Sequence, residues 1–510
     1  MRLYQSIKNA FSGLLLQIFT ILFGLATQFF FIRYLGIQYV GISGVFNNVI
    51  SMLGIAELGI GTAMVYALYK PLAEKDEQTT ASLMLLYKRA YQWIGIIVFI
   101  IGLLMLPFVR YVFKDLSVDV NLYLVFVLYL FNTAFSYFYS YKRSILYADQ
   151  NDYINKCADL ITVIVTNIIQ IVTLIVFSNF YIFLVIRFSL MMLENVVVSL
   201  FVNHRYPFLL NENVNILPSN EKHKIISNVK ALICHKIGGF IVLGTDSIIV
   251  SALINVTTAG IYGNYQFVVL KITSLQSTII ESVTASMGNL FVLEPQRAYS
   301  VFLKIYYMNF FITTVTGCCL FNCLHPFICF YAGEDNVLSF YTEVVIVVGY
   351  YVSSMRASVN VGKNAGGIYR PDRFVPLWEA FVNIVASLAL VKYIGVAGVI
   401  IGTIISTLCS VYISGPYLTY QRIYHKKLCL YYLYYLYYFS VACICCFISF
   451  YVCQLFSTPS YLVQFFQNGI LSIVGSCIVL FTMTWKRPER IYFMELIKKS
   501  YLKKFKRERS

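Results

Sequence analysis

The chain is built on apolar runs of about 20 residues, each long enough to carry a helix across the ~30 Å hydrocarbon core of a bilayer. Roughly fourteen follow one another, from 11–32 through 40–68, 230–254 and 260–290 to 428–453 and 462–485. Hydrocarbon offers a peptide group no hydrogen-bond partner, so a spanning segment must be a helix or part of a closed barrel. Runs of this length specify helices. Of the 510 residues 59% are hydrophobic and 12% charged, about half the charge of a soluble protein. The expected class is an all-α integral membrane protein with about 14 transmembrane helices. The first run, Phe11 to Ile32, is too long for a signal-peptide core and reads as an uncleaved span.

A net charge of +16 would suggest nucleic acid in a soluble protein. Here the cations fall in alternate loops. With the N-terminus in the cytoplasm, all but seven of the 39 lysines and arginines lie in cytoplasmic segments: Arg33, Arg110, Lys114, Arg187, Lys236, Lys271 and Lys392 are the exceptions. This asymmetry places both termini on the cytoplasmic side of the membrane. The basic tail, 486–510, then reads as a topological anchor along that surface.

The chain also echoes itself. Tyr39-Val40-Gly41-Ile42-Ser43-Gly44 returns as Thr258-Ala259-Gly260-Ile261-Tyr262-Gly263. Ala148-Asp149-Gln150 with Asn167 returns as Ala365-Gly366-Gly367 with Asn383. The offset of 216 to 219 residues spans six helices, an even number, so the halves are parallel repeats about an axis along the membrane normal. The expected domains are a six-helix lobe at about 1–215, a second at about 216–427, two further helices at 428–485, and the tail.

The stretch from Lys363 to Ser406 is the most distinctive. It combines Gly366-Gly367, Tyr369-Arg370, Asn383 and then Gly395, Gly398 and Gly402-Thr403, a loop, a helix, a tight turn and a returning helix with small-xxx-small spacing. Together with Arg33-Tyr34-Leu35-Gly36, Glu57-Leu58-Gly59 and Ala148-Asp149-Gln150-Asn151-Asp152-Tyr153, this pattern resembles the bacterial polysaccharide flippase family (Wzx-like). That family belongs to the multidrug/oligosaccharidyl-lipid/polysaccharide exporter superfamily. The resemblance covers most of the chain. It implies a two-lobed transporter of polyprenyl-diphosphate-linked oligosaccharide for O-antigen, capsule or exopolysaccharide, working beside a polysaccharide polymerase and glycosyltransferases. Drug/cation antiport and peptidoglycan-precursor flipping are the rival activities within the superfamily. A membrane-embedded polymerase or ligase is the rival of another class, and it would be expected to carry a sizeable outward loop.

Motif chemistry points the same way. Gly362-Lys363 is followed by Asn364 and lacks the upstream glycine of a phosphate-binding loop. Five histidines and no His-Glu-x-x-His leave little room for a histidine metal site. Most of the thirteen cysteines sit inside apolar runs, where they read as small packing residues. Tyr431 to Tyr438 reads as an interfacial aromatic belt.

The informative residues are ionisable groups inside spans, each costing about 2.5–3.5 kcal/mol at mid-membrane and therefore facing a cavity or a partner. Gln17, Thr20, Gly24, Thr27 and Gln28 form a polar stripe on the first helix, and the stripes there and on the second, seventh and eighth helices could also pair to hold the lobes together. The candidate substrate cavity takes Arg33, Glu57, His235, Lys236, Asn264 and Lys271, the cations offsetting a diphosphate. Glu57, Asp246 and Glu281 are candidates for coupling to H⁺ or Na⁺, with no other cofactor expected. Helical rise sets Lys236 level with Glu281 and Asp246 level with Lys271, which allows two acid–base pairs. Glu194 and Glu343 show no charged neighbour in the sequence.

Overall fold

Side chains that accept hydrogen bonds open several of the helices. Asp76 caps Glu77–Met105 (α4) by accepting from Thr79 N at 2.9 Å. Asn121 caps Leu122–Ser140 (α5) through Leu124 N, and Asn179 caps Phe180–Arg205 (α8) through Tyr181 N and Ile182 N. Each satisfies donors that a helix start leaves without a partner. The computed structural model describes residues 2–57, 60–210, 242, 244–368 and 371–495.

Among these residues the regular structure is entirely helical and contains no strand. The first elements are α1 (Arg2–Leu35), α2 (Ile37–Leu53) and α3 (Ile60–Glu74), the last two separated by a 3₁₀ turn at Gly54–Glu57. The run expected as one span over 40–68 is therefore broken, and Glu57 sits in the break. After α4 and α5 come α6 (Arg143–Ala148), α7 (Asp152–Phe177), α8 and α9 (Gly244–Leu253). Then follow α10 (Val256–Glu281), α11 (Thr284–Leu293), α12 (Pro295–Ala332) and α13 (Phe340–Ala365). Last are α14 (Val375–Leu408), α15 (Val411–Pro416), α16 (Leu428–Leu455) and α17 (Tyr461–Met483).

Ten stretches among the described residues are long and apolar enough to cross a membrane. One of them, Val375–Ile423, contains two crossings, because Gly395 takes φ +59° and the chain folds back. A Cβ on Gly398 would meet the Leu390 carbonyl at 2.6 Å, and one on Gly402 would fall on Ser387. Residues 15 apart in an unbroken helix would lie about 22 Å apart. The glycine-spaced motif is thus a hairpin whose two arms touch backbone to backbone.

The helices are also inside out relative to a soluble protein. α7 exposes Ile161, Val172 and Val176 while burying Asn155, Thr166 and Gln170. Lipid costs nothing to an exposed isoleucine, whereas a polar side chain needs a partner. The chain is an all-α, multi-pass membrane fold.

Contacts divide it into two units: Met1–Gly263 with Pro376–Ile384, and Asn264–Val375 with Val385–Ser510. In the first, α1 lies along α7, α4 along α5, and α7 along α8. In the second, α12 is the central element, packed on α13, α16 and α17. Its core is aromatic, with Phe302, Tyr306, Phe310, Tyr420, Tyr431 and Tyr438 all buried. This corrects the reading of Tyr431–Tyr438 as an interfacial belt. On α16 the leucines Leu433 and Leu436 face outward at 58% and 59% exposure, while Tyr431 and Tyr438 are 1% exposed. Tyr432 Oη donates to the Tyr412 carbonyl and Tyr437 Oη to that of Met483; a hydroxyl can find acceptors in protein but not in hydrocarbon. Along the same seam Cys318 and Cys445 are buried, with Cys318 Sγ 3.4 Å from Cys446 Sγ.

Candidate functional site

The repeat echo acquires geometry in the first unit. A Cβ added to Gly41 would fall on the Val256 carbonyl oxygen, and one added to Gly260 would fall on the Ile37 carbonyl oxygen. Each would also lie 3.0 Å from the other glycine's amide nitrogen. Ile37 and Val256 are themselves 219 residues apart, like Gly41 and Gly260, so α2 and the start of α10 cross reciprocally. A second contact recurs: Thr27 Oγ1 donates to Asn167 Oδ1 at 2.6 Å, and Thr245 Oγ1 to Asn383 Oδ1 at 3.3 Å. The polar stripe of α1 therefore finds one partner, Asn167, inside its own unit.

Glu57 is the hub of a hydroxyl relay. Ser144 Oγ donates to Tyr87 Oη at 3.2 Å, Tyr87 Oη to Tyr91 Oη at 3.0 Å, and Tyr91 Oη to the Glu57 carboxylate. Donation runs one way along this chain and ends on the only group in it that accepts without donating when ionised. A Cβ on Gly61 would come within 3.2 Å of Tyr87 Oη and 3.4 Å of Tyr91 Oη. Elsewhere in this unit, Asp246 is buried on α9 and accepts from Tyr262 Oη at 3.4 Å. Arg33 is exposed in the last turn of α1, its guanidinium 6.0 Å from the Phe29 ring. His235 and Lys236 lie outside the described residues, as do Tyr369 and Arg370, so the proposed Lys236–Glu281 pair has no described geometry.

In the second unit Asn264 is buried near the start of α10, and Lys271, half-buried, holds its ammonium 5.6 Å from the Phe267 ring one turn back. Glu281, at the end of α10, is exposed and lines a cavity of about 150 Å³ shared with Thr273, Gln276, Ser353, Arg356 and Asn360. Arg356 and Asn360 come from α13 and escaped the sequence reading. Arg356 lies inside the apolar run 338–360, and the helix continues nine residues beyond it to Ala365. The signal was available, because a guanidinium that far inside a spanning helix needs a cavity or a partner.

Both unassigned carboxylates have basic neighbours, an arginine and a histidine, which corrects the expectation of none. Arg143 bridges Asp159 (Nη1–Oδ1 2.5 Å) and Glu194. Glu343 accepts from Tyr265 Oη at 2.7 Å and lies 3.2 Å from His325 Nδ1. The partners sit 51 and 18 residues away, too far for helical periodicity to reveal.

The same architecture occurs in solved structures. Lipid II flippase MurJ in its inward closed conformation aligns with a TM-score of 0.65 and 15% identity, covering 94% of this chain and 99% of that one. The inward-facing conformation of a multidrug resistance MATE family transporter of the MOP superfamily aligns with a TM-score of 0.54 and 15% identity, covering 78% of this chain and 93% of that one. No protein-family model matches this chain, and no curated protein does. What these similarities establish is the fold.

Proposed function

We propose that the chain flips a polyprenyl-diphosphate-linked oligosaccharide across the bacterial cytoplasmic membrane by alternating access, supplying repeat units for O-antigen, capsule or exopolysaccharide. The observation that carries the reading is the polar cavity of the second unit, where Arg356 projects from a spanning helix beside Asn360, Ser353 and Thr273, with the Glu281 carboxylate in the same lining. A guanidinium matches phosphate oxygens in pairs, and hydroxyl and amide groups suit a sugar. A carrier of cationic drugs would favour a net acidic cavity, whereas here Arg356 offsets Glu281. Lys271 on α10 adds a second cation within the same helix set. The fold likeness extends over more of this chain for the lipid II flippase than for the multidrug transporter, which supports a lipid-linked substrate.

In this mechanism the headgroup enters a polar cavity while its lipid tail stays in the bilayer. The two lobes are the repeats at about 1–215 and 216–427. Arg33, His235, Lys236, Asn264 and Lys271 line the path, and Glu57, Asp246 and Glu281 exchange H⁺ or Na⁺ to reset the cycle. A polysaccharide polymerase and the glycosyltransferases of the pathway act before and after it. Complementation tests the substrate: the gene should restore surface polymer to cells lacking a repeat-unit flippase, and Arg356→Ala should lose that activity at least tenfold with normal protein level in the membrane. Rescue only of cells depleted of their lipid II flippase would move the substrate to the peptidoglycan precursor. Drug resistance without either rescue would overturn the lipid-linked reading.

A further inference from the structure

Glu343 is buried in the first turn of α13, a helix opened by the Ser339 cap. Its Oε1 accepts from Tyr265 Oη of α10 and faces His325 Nδ1 of α12, so three helices of the second unit meet on one carboxylate. Tyr265 Oη also accepts from the backbone amide of Leu338 at 3.1 Å. An amide N–H can only donate, so the phenol's own proton is committed to Glu343. The His325 side chain is 52% exposed against 7% for Glu343. It lies seven residues before the end of α12, about 10 Å along the helix. The imidazole is thus the outlet of a buried acid.

The ring is placed to exist in two charge states. An ionised carboxylate only accepts, which assigns a proton to Nδ1 in both. Nε2 lies 3.6 Å from Cys329 Sγ, one turn further along α12. A thiol is both a weak donor and a weak acceptor. It therefore meets the lone pair of a neutral imidazole by donating and the N–H of an imidazolium by accepting. Gaining or losing the second proton changes the force on Glu343 instead: the imidazolium forms an ion pair, whose charge-assisted hydrogen bond is about twice as strong as a neutral one. Two further ionisable groups face the site. Glu334 acts on Cys329 from the short 3₁₀ turn after α12, and Tyr461 at the start of α17 meets Glu334.

We propose that Glu343, His325 and Tyr265 form a proton-binding site, in which His325 takes a proton from solvent and, once charged, fastens α12 to the start of α13. Tyr265 holds the carboxylate in place and ties it to α10. The site is separate from Glu57, Asp246 and Glu281, and it operates without a transported substrate. The ion pair exists only while the imidazole carries its second proton. Its contribution to stability is therefore present at about pH 5 and lost by about pH 8.

The test is thermal melting of the full-length purified protein in neutral detergent at those two pH values, for the wild type, His325→Gln, Glu343→Gln and the double variant. Glutamine keeps a donor at position 325 and an acceptor at position 343 and carries no charge at either. The wild type should melt about 2 °C above His325→Gln at the lower pH, and that advantage should vanish at the higher one. The two substitutions should be non-additive at the lower pH and additive at the higher, as a pair formed only by the protonated ring requires. His325→Gln, at a half-exposed position, decides the matter if Glu343→Gln does not fold. A gap between wild type and His325→Gln that stays the same at both pH values overturns the proposal and leaves a fixed structural clasp; the absence of any gap overturns it as well.

Discussion

The two units answer the same structural question differently at equivalent places in the repeat. In the first, Glu57 receives the relay from Ser144 through Tyr87 and Tyr91. At the offset that relates Gly41 to Gly260, the second unit has Gln276. Its amide is 2% exposed, donating to Asn309 Oδ1 at 2.9 Å and to Thr313 Oγ1, and accepting from Tyr350 Oη at 2.6 Å. Asn309 in turn donates to the carbonyls of Ser354 and Met355. The Gln276 network is satisfied by amide, hydroxyl and backbone carbonyl groups, with no carboxylate in it. The Glu57 network ends on a carboxylate where the Gln276 network has an amide. One repeat holds an amide clamp between α10, α12 and α13, and the other ends its relay on an acidic side chain.

Exchanging the two residues breaks the comparison most directly. Gln276→Glu places a carboxylate among groups arranged for an amide, and an uncompensated buried charge costs about 3–5 kcal/mol. The purified variant should melt well below the parent; an unchanged melting temperature would mean that water reaches the network. The reverse exchange, Glu57→Gln, keeps the shape and an acceptor for Tyr91, so the protein should still accumulate. Transport should fall about a hundredfold, equivalent to about 2.7 kcal/mol. Normal transport would remove Glu57 from coupling and leave it a structural acceptor.

Much of this was legible in the residues themselves. Run length gave the helices, and the Gly395, Gly398 and Gly402 spacing gave the hairpin, because a turn and a close approach both require glycine. Glu57 stood out as a charge in an apolar run. Its relay did not, since Tyr87, Tyr91 and Ser144 lie on other elements and tyrosines are abundant throughout this chain. The inward-facing tyrosines of α16 were misread for a related reason. Aromatic residues near a span end suit an interface or a core equally well, and only the packing of α16 on α12 decides. Arg356 was missed although it lies inside an apolar run, the same signal that singled out Glu57.

The glycine crossing sharpens the repeat relation with a smaller effect. Gly41→Ala and Gly260→Ala each drive a methyl group into a backbone carbonyl, which cannot rotate away as a side chain could. Each should destabilise by about 1–3 kcal/mol, and by similar amounts if the crossing is reciprocal. The double variant should cost less than the two added together, because one separation of α2 from α10 accommodates both methyls. Full additivity in thermal or denaturant unfolding would mean that the sites relax independently.

The smallest effect tests whether the repeats are equally tight at one recurring contact. Thr27 and Thr245 donate to Asn167 and Asn383 respectively, but the lengths are 2.6 Å and 3.3 Å. The first lies at the short end for a hydroxyl donor and the second beyond the usual range. Side-chain hydrogen bonds between membrane helices contribute about 0.6 kcal/mol on average. Thr→Val preserves the branched shape and removes only the hydroxyl. Thr27→Val should therefore cost about 1 kcal/mol, while Thr245→Val should cost about half that or less. Measured by unfolding in the same detergent, equal losses would mean that the longer bond tightens in solution. A larger loss at Thr245 would place the strain-bearing contact in the second repeat and reverse the order inferred from distance.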